Sequence, residues 1–396
     1  MFYSALILIL ILAIISLPYR GKAKDKEGYF ISSRKLKTTT LSFTLAATTI
    51  GGSAIVVSYS LIEKYGTAGI LIDIAGGLGL ILLGLTFAKK VRKTEALTLP
   101  SMLKSKLSPQ IYKIIAVGLI LAEICWIALS FKSLEIIGNF SHSEMLIIAL
   151  GILTYSLLGG QWSVSKTDII QFTIIVLGLI YFAVFKKNAP SIPETTLDLN
   201  LFYLATLMLL SHLIGPDIYS KLLSAQNPET AAKGSVLAGV MKIAFSLLLI
   251  YAIYSGLNLK NMNIPLFLVI AAAITSSVDS MLISSTAIFC EDIMECKEES
   301  FAAPVTVAIT LISLVLSIYT SELISLVSSG YTILLITISF PVLALFISNK
   351  INPLNFYIPV ISFLLIFALL GSQIYAFFVS LLTGGMSLAY NKIKSD

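Results

Sequence analysis

Apolar residues fill long blocks of this chain, and polar residues gather in short stretches between the blocks. A block of this kind predicts a helix of about 20 residues that crosses a bilayer. The first block has no basic start, and residues 18–22 offer no small-residue cleavage site, so we expect a retained helix. The pattern predicts thirteen transmembrane helices, at residues 2–18, 40–63, 67–88, 110–131, 144–159, 167–186, 200–216, 233–256, 264–291, 302–319, 321–348, 355–371 and 374–391.

The composition agrees with a protein whose main solvent is lipid. Of 396 residues, 57% are apolar and 12% are charged, and the mean hydropathy is +0.93. A soluble domain has about a quarter of its residues charged. We therefore expect an all-α polytopic membrane protein that forms one integral membrane domain over residues 1–396.

The net charge of +6 comes mainly from two loops. Loop 19–39 carries seven Lys and Arg residues and loop 89–109 carries six, whereas all loops on the opposite face carry five. The positive-inside rule then places the N-terminus outside and the C-terminus in the cytoplasm, in the cell membrane. These basic residues indicate topology, so we expect no nucleic-acid partner.

The chain lacks the residue combinations that are typical of enzymes. Its three cysteines and two histidines have no metal or redox spacing, and no nucleophile–base pair or phosphate loop is evident. The cluster Gly76, Gly77 and Gly79 follows no predicted strand and is typical of close helix packing in membranes. We do not expect an enzyme.

Small and polar residues predict interruptions in the second, seventh and ninth spans, at residues 46–53, 212–217 and 275–280. Backbone groups freed by such breaks survive in a bilayer only where they line a cavity or pack on protein. The second and seventh spans lie five spans apart and run in opposite directions. This arrangement predicts a transporter with two inverted repeats and both breaks at the midplane.

The ninth span carries a set of oxygens suited to a hard cation. Ala273, Ser276 and Ser277 lie on one helix face, and loosening near Gly51 would free the carbonyls of Ala47 and Ile50. Together these five neutral oxygens can hold one sodium ion. In the alternative, both serine hydroxyls bond back to carbonyls one turn earlier. Spacing alone favours that alternative.

Four segments resemble the sodium:solute symporter family, which includes sodium/proline, sodium/pantothenate, sodium/sialic acid and sodium/glucose carriers. Residues 272–282 and 291–293 are similar to its ninth-helix signature, and residues 41–52 to its second helix. Leu-Thr-Leu-Pro-Ser-Met-Leu at 97–103 resembles its Tyr-Thr-Leu-Pro-Glu-Phe-Leu loop, and residues 159–171 resemble its Gly-Gly…Thr-Asp-x-x-Gln segment. The order of these segments matches over nearly the whole chain.

The resemblance implies an amino-acid/sodium symporter-type core of two inverted five-helix repeats with broken helices. The repeats would occupy residues 40–190 and 200–348, with peripheral helices at 1–18 and 355–391. It also implies a sodium site formed by the carbonyls of Ala47, Ile50 and Ala273 and the hydroxyls of Ser276 and Ser277.

Two explanations fit Asp168. The resemblance implies a role on the cation exit path, and the alternative is a first-turn acid stabilised by the helix dipole. Buried acids and bases in membranes usually pair inside the bundle, so Asp73, Glu123 and Lys242 are candidates for internal pairs, although Lys242 could also extend to the interface.

A solute pocket is expected beside the sodium ion, at the breaks. Thr49 stands where proline carriers have an aspartate, which argues against proline as the solute. The candidate pocket residues are Thr48, Thr49, Gly51, Gly52, Ser53, Trp126, Ser211, His212, Ser280 and Tyr331.

The predicted function is sodium-coupled symport of a small organic solute by alternating access, with sodium as the co-transported ion. One alternative is a proton-coupled transporter of the same fold, since Asp73, Glu123 and Asp168 could titrate. Another is a receptor or sensor that binds a solute without transporting it.

Overall fold

The computed structural model describes residues 1–185, 193–296, 302–320, 322–348 and 350–395, without the side chains at 52, 53, 325, 348 and 391–395. These residues form helices and no strand; an isolated bridge joins Leu36 to Ala225. The helices of the first part are α1 (Phe2–Ser16), α2 (Lys26–Ile31), α3 (Thr38–Thr49), α4 (Gly52–Tyr65), α5 (Leu71–Thr86), α6 (Ala88–Arg92), α7 (Pro109–Gly138) and α8 (His142–Val184). Those that follow are α9 (Leu199–Ile214), α10 (Pro216–Leu223), α11 (Pro228–Tyr254), α12 (Ile264–Ile288), α13 (Ala302–Tyr319), α14 (Leu323–Ser348), α15 (Leu354–Leu370) and α16 (Gln373–Ser395).

The all-helical membrane architecture is confirmed. Within the described ranges, ten helical segments are long and apolar enough to cross a membrane, and Leu354–Leu370 is a shorter apolar helix. The number of thirteen spans is not confirmed. The predicted segments 144–159 and 167–186 fall on the two helical parts of α8, which meet at a kink where Gly160 has φ 52° and ψ −144°; residue 186 lies outside the described residues.

Two of the three expected interruptions are present. The helix of the second predicted span ends at Thr49, and the chain passes through Ile50 and Gly51 in non-helical conformations before α4 begins. In the seventh, Gly215 adopts φ −66° and ψ 135°, and Pro216 begins α10. Proline removes a backbone donor and fits the first position of a helix, so the break falls where the sequence places it.

The third expected interruption is wrong, because α12 continues without a break through residues 275–280. The hydroxyl groups in this stretch donate hydrogen bonds to carbonyls of the same helix, so they do not interrupt it. The Thr275 hydroxyl donates to the Ala271 carbonyl at 2.9 Å, and the Ser280 hydroxyl donates to the Ser276 carbonyl at 3.0 Å. Such bonds to the preceding turn let serine and threonine sit inside a helix.

Helix α12 is the centre of the bundle. It packs against α3, α4, α7 and α8, and 94% of its most apolar stretch is buried, against 28% for the spans at Phe2–Lys22 and Gln373–Tyr390. Helix α5 packs closely on α9 and α11, and Gly77 approaches the carbonyl of Gly239. The division into repeats at 40–190 and 200–348 stays a prediction.

Candidate functional site

The end of α3 and the middle of α12 meet through two serine hydroxyls. Ser276 Oγ lies 3.1 Å from the Ala47 carbonyl and 2.9 Å from the Ala273 carbonyl. Ser277 Oγ donates to the Thr48 carbonyl at 2.8 Å and lies 3.3 Å from the Ala273 carbonyl. All five residues are buried. The last turn before the α3 break is therefore joined to α12 through side-chain oxygens.

The structure brings together four of the five oxygens predicted to bind sodium: the Ala47 and Ala273 carbonyls and the hydroxyls of Ser276 and Ser277. Ile50 is buried just beyond the helix end, where its amide donates to the Ala46 carbonyl at 2.8 Å. The Thr48 carbonyl, which the sequence did not single out as a ligand, accepts the bond from Ser277. These neutral oxygens are the donor type that hard cations prefer.

Both hydroxyls also donate to the Ala273 carbonyl one turn earlier, as the alternative interpretation predicted. The hydroxyl oxygens keep lone pairs after donating, and a hydroxyl can rotate its proton away at low cost. The chemistry of this set of oxygens therefore suits a small monovalent cation.

A cavity opens beside Ser277, at the breaks between α3 and α4 and between α9 and α10. The centre of a water molecule can move through about 80 Å³ of it, which is room for several waters or one compact solute. Seven of the predicted pocket residues line the cavity: Thr48, Thr49, Gly51, Trp126, Ser211, His212 and Tyr331.

The other three predicted pocket residues have different positions. Ser280 lies behind the cavity wall, where its hydroxyl is 2.9 Å from the Thr48 hydroxyl. Gly52 and Ser53 begin α4, and their side chains lie outside the described part of the chain.

Sequence reasoning missed many residues that line the cavity. Some follow a recognised residue at helical spacing, as Leu129 follows Trp126 and Met281 follows Ser277. Others come from helices in which no pocket residue was predicted, and they line the cavity only because of the way the helices pack. The missed residues are Ala54, Val57, Ser58, Ile72, Leu129, Met208, Asp217, Ile218, Met281 and Val327, whereas Asp73 and Ser277 were predicted in other roles.

Two aromatic rings form one wall of the cavity. The ring centroids of Trp126 and Tyr331 are 4.9 Å apart, with an angle of 55° between the planes. The Tyr331 hydroxyl donates to the Met208 sulfur at 3.3 Å, which fixes the orientation of that ring. Faces of tryptophan and tyrosine attract cations through the ring quadrupole.

A buried ion pair lies at another side of the cavity. Lys242 Nζ is 3.5 Å from Asp73 Oδ1, and it also donates to the Thr49 carbonyl at the end of α3. Ser58 donates to the other oxygen of Asp73. The prediction of an internal pair is confirmed for these two residues. Lys242 is fully buried, so the alternative in which it extends to the interface is wrong.

Two polar atoms of the cavity wall have neither a hydrogen-bond partner nor an ion-pair partner among the described residues. They are Nε2 of His212 and Nε1 of Trp126. His212 Nδ1 lies 3.0 Å from the Met208 carbonyl, which can only accept, so this nitrogen carries the proton of the neutral ring. The wall thus offers one acceptor, from His212, and one donor, from Trp126.

Asp168 lies in the interior of α8, eight residues beyond Gly160, so the interpretation as a first-turn acid is wrong. It is fully buried and pairs with Lys221 of α10 at 3.2 Å. Thr44 of α3 joins both groups, because its hydroxyl donates to Asp168 and accepts from Lys221 at 2.8 Å. Asp168 was singled out through the family resemblance, whereas Lys221 lies between two predicted spans and was not a candidate.

The model of the sodium:solute symporter family matches residues 29–189. The predicted resemblance to this family is confirmed. The matched range contains α3, the broken second span and Asp168.

Curated relatives of the chain are named as transporters or symporters, in agreement with the expectation that it is no enzyme. The human high affinity choline transporter 1 is 28% identical over 201 residues, which is 49% of this chain and 35% of the relative. The high-affinity choline transporter 1 of Caenorhabditis elegans is 27% identical, over 39% and 27% of the two chains. The sodium/pantothenate symporter of Haemophilus influenzae is 27% identical, over 42% and 37%. The chain spans about a third of the length of these relatives.

Solved structures agree with the fold over almost the whole chain. A Na+-coupled sialic acid symporter in a substrate-bound outward-open state has a TM-score of 0.76 at 13% identity, covering 97% of this chain and 95% of that one. Mhp1, a nucleobase-cation-symport-1 family transporter in a closed conformation, has a TM-score of 0.54 at 11% identity, covering 94% and 95%. At these identities the similarity shows the fold.

Proposed function

We propose that this protein is a sodium-coupled symporter that moves a small organic solute across the cell membrane by alternating access. One observation carries the proposal. The oxygens that suit sodium and the wall of the cavity share the same residues, because Thr48 and Ser277 belong to both. An ion bound between α3 and α12 would therefore shape the solute site directly.

Sodium would act by holding the loose end of α3 against α12. With this wall in place the cavity binds solute more tightly, and by reciprocity bound solute raises the affinity for sodium. One positive charge that moves inward across about 100 mV releases roughly 2.3 kcal/mol, which corresponds to about fifty-fold accumulation of a neutral solute.

Ion pairs on the predicted inner face would open when the inner side opens. Lys26 pairs with Glu291 at 3.0 Å and Lys104 pairs with Glu295 at 2.9 Å, joining two loops to the end of α12. The Lys104 ammonium holds the pKa of Glu295 below its usual range. Exposed pairs of this kind are weak in water, so they can close this face and still release it in every cycle.

The chemistry of the cavity favours a compact organic cation as the solute. The charged residues that line it are Asp73 and Asp217, and both are acidic. Lys242 already compensates Asp73, which leaves Asp217 to attract a cation. The faces of Trp126 and Tyr331 would add cation–π attraction. Relatives named as choline transporters support the same class of solute.

Thermal unfolding of the purified protein tests the proposed function. Choline should raise the unfolding temperature in sodium buffer and have little effect in potassium buffer. Pantothenate serves as the anionic comparison, because one relative is named as a sodium/pantothenate symporter. Stabilisation that is equal in both buffers would contradict sodium coupling. Uptake by liposomes under a sodium gradient then separates a transporter from a receptor.

We further propose that the N-terminus lies outside and the C-terminus in the cytoplasm. The uneven distribution of basic residues between the loops supports this orientation.

A further inference from the structure

Glu123 of α7 is a fully buried carboxylate that the proposed sodium and solute sites do not use. Among the described residues neither of its oxygens makes a hydrogen bond of ordinary geometry, although two polar groups lie near enough to interact with it. The polar groups that face it are the Ser284 side chain of α12 and the backbone amide and carboxylate of Asp217 in α10. Such a group inside a membrane protein is costly and usually belongs to an ion or proton pathway.

Glu123 lies where the functional parts of the molecule meet. It is one turn before Trp126, which lines the cavity, and it faces Asp217, which lines the cavity as well. Asp217 is the second residue of α10, directly after the break at Gly215. Ser284 is two turns after Ser277 on α12. The charge state of Glu123 can therefore act on the broken helix and on the solute cavity together.

The buried charges of the described residues do not balance. Two buried lysines, Lys221 and Lys242, form ion pairs with Asp168 and Asp73. The buried carboxyl groups outnumber them, since they comprise Asp73, Glu123, Asp168, Asp217, Asp279 and Asp292. One sodium ion between α3 and α12 would compensate one further charge only. An uncompensated buried carboxylate takes up a proton or a cation instead.

The surroundings of Glu123 suit a proton better than a metal ion. Sodium requires several oxygen ligands around it. Here one neighbour is the Asp217 amide, an N–H donor whose partial positive charge would repel a metal ion at Glu123. A protonated Glu123 can accept from that amide with one oxygen and donate from the other to the Asp217 carboxylate or the Ser284 hydroxyl.

We propose that Glu123 and Asp217 form a proton-binding site in which Glu123 takes up one proton. The proton comes from water on the side to which the cavity is open and returns to water on the other side, so no other bond forms or breaks. Uptake would let the Asp217 end of α10 stay beside Glu123, whereas loss of the proton would place two negative charges side by side. The place of this step in the transport cycle rests on the proposed function, whereas the existence of the site does not.

Carbodiimide labelling of the wild-type protein tests the site without a solute. Hydrophobic carbodiimides react with protonated carboxylic acids, and mass spectrometry locates the modified residue. Labelling of Glu123 should fall at least about tenfold between acidic and alkaline buffer, as one ionising group requires. Glu135 on the same helix is the comparison, because it pairs with Lys132 at 3.2 Å. Absent or pH-independent labelling of Glu123 would overturn the proposal.

Infrared spectroscopy of Glu123→Gln adds a second measurement, with Glu135→Gln as the matched control. The carbonyl band of a protonated carboxylic acid should disappear in Glu123→Gln and persist in Glu135→Gln. Persistence of every such band in Glu123→Gln would refute the site. Should Glu123→Gln fail to fold, labelling of the wild type still decides.

A sodium titration at constant pH separates this proposal from the proposed function. Sodium that protects Glu123 from labelling as fully as alkaline buffer does would identify a metal site and contradict proton binding. Conversely, a wild-type protein that sodium does not stabilise would contradict the proposed function, while pH-dependent labelling of Glu123 would stand.

Discussion

The Ser277 hydroxyl of α12 donates a hydrogen bond of 2.8 Å to the Thr48 carbonyl of α3. The two residues are 229 positions apart in sequence, and both line the cavity. This one contact therefore joins the end of a broken helix, the oxygens proposed to bind sodium and the wall of the cavity. Movement of α3 relative to α12 would change all three together.

Replacing both Ser276 and Ser277 with alanine should weaken sodium binding. A hydrogen bond or ligand of this kind contributes roughly 1 kcal/mol, so we expect the sodium concentration for half-maximal stabilisation to rise at least about tenfold. Ser285→Ala is the matched control on the same helix, because its hydroxyl donates to the Met281 carbonyl within α12 at 2.6 Å. Unchanged sodium dependence in the double variant would show that sodium binds elsewhere.

Breaking the buried pair between Lys242 and Asp73 should destabilise the protein strongly. Removing one partner of a buried ion pair leaves an uncompensated charge and costs about 3–5 kcal/mol. Thermal unfolding should therefore show a large loss for Lys242→Met and for Asp73→Asn, and a smaller loss for the double variant than for the sum of both. Additive losses would mean that the two side chains do not interact.

Replacing Trp126 with alanine should weaken binding of a cationic solute. A cation–π contact contributes about 0.5–2 kcal/mol. We therefore expect the choline concentration for half-maximal stabilisation in sodium buffer to rise roughly two-fold to thirty-fold. Trp162→Ala is the control, because this ring lies near Lys22 and does not line the cavity. An equal effect of both substitutions would argue against an aromatic wall for a cation.

Removing the ion pairs of Lys26 and Lys104 should favour opening of the inner face. Cys290 and Cys296 lie near this end of α12 and are only 2% and 7% exposed. A thiol reagent can reach them only when the inner face opens, so their alkylation rate measures opening. In Lys26→Ala/Lys104→Ala their alkylation, located by mass spectrometry, should be faster than in wild type, and sodium should slow it. The Lys260–Glu63 pair provides the control, through Lys260→Ala. Similar rates in all three proteins would exclude a closing role for these pairs.

The Lys104–Glu295 pair should also depend on pH in a defined direction. The pKa of Glu295 is lowered by Lys104, so the pair is complete at neutral pH and is lost as the pH falls through that lowered value. Alkylation of Cys296 in Glu295→Gln should be less sensitive to acidification than in wild type. Equal acid sensitivity of the two proteins would assign the effect to other groups.

The sequence by itself determined the features that depend on local properties of the chain. Blocks of apolar residues had to become helices, because a bilayer offers no partner for an unpaired backbone. Gly51 and Pro216 determined two breaks, because both act on their own stretch of backbone. The facing set of Ala273, Ser276 and Ser277 followed from helical spacing alone.

Only the tertiary structure decided which groups meet across the bundle. Lys221 pairs with Asp168 from 53 positions away, and the Ser277 hydroxyl donates to the Thr48 carbonyl, which was not predicted as a ligand. Asp217 lies near Glu123 because α10 packs beside α12, which also packs against α7. Such pairs depend on the rotation and depth of each helix, which are set by contacts with its neighbours, and no periodicity within one helix carries that information.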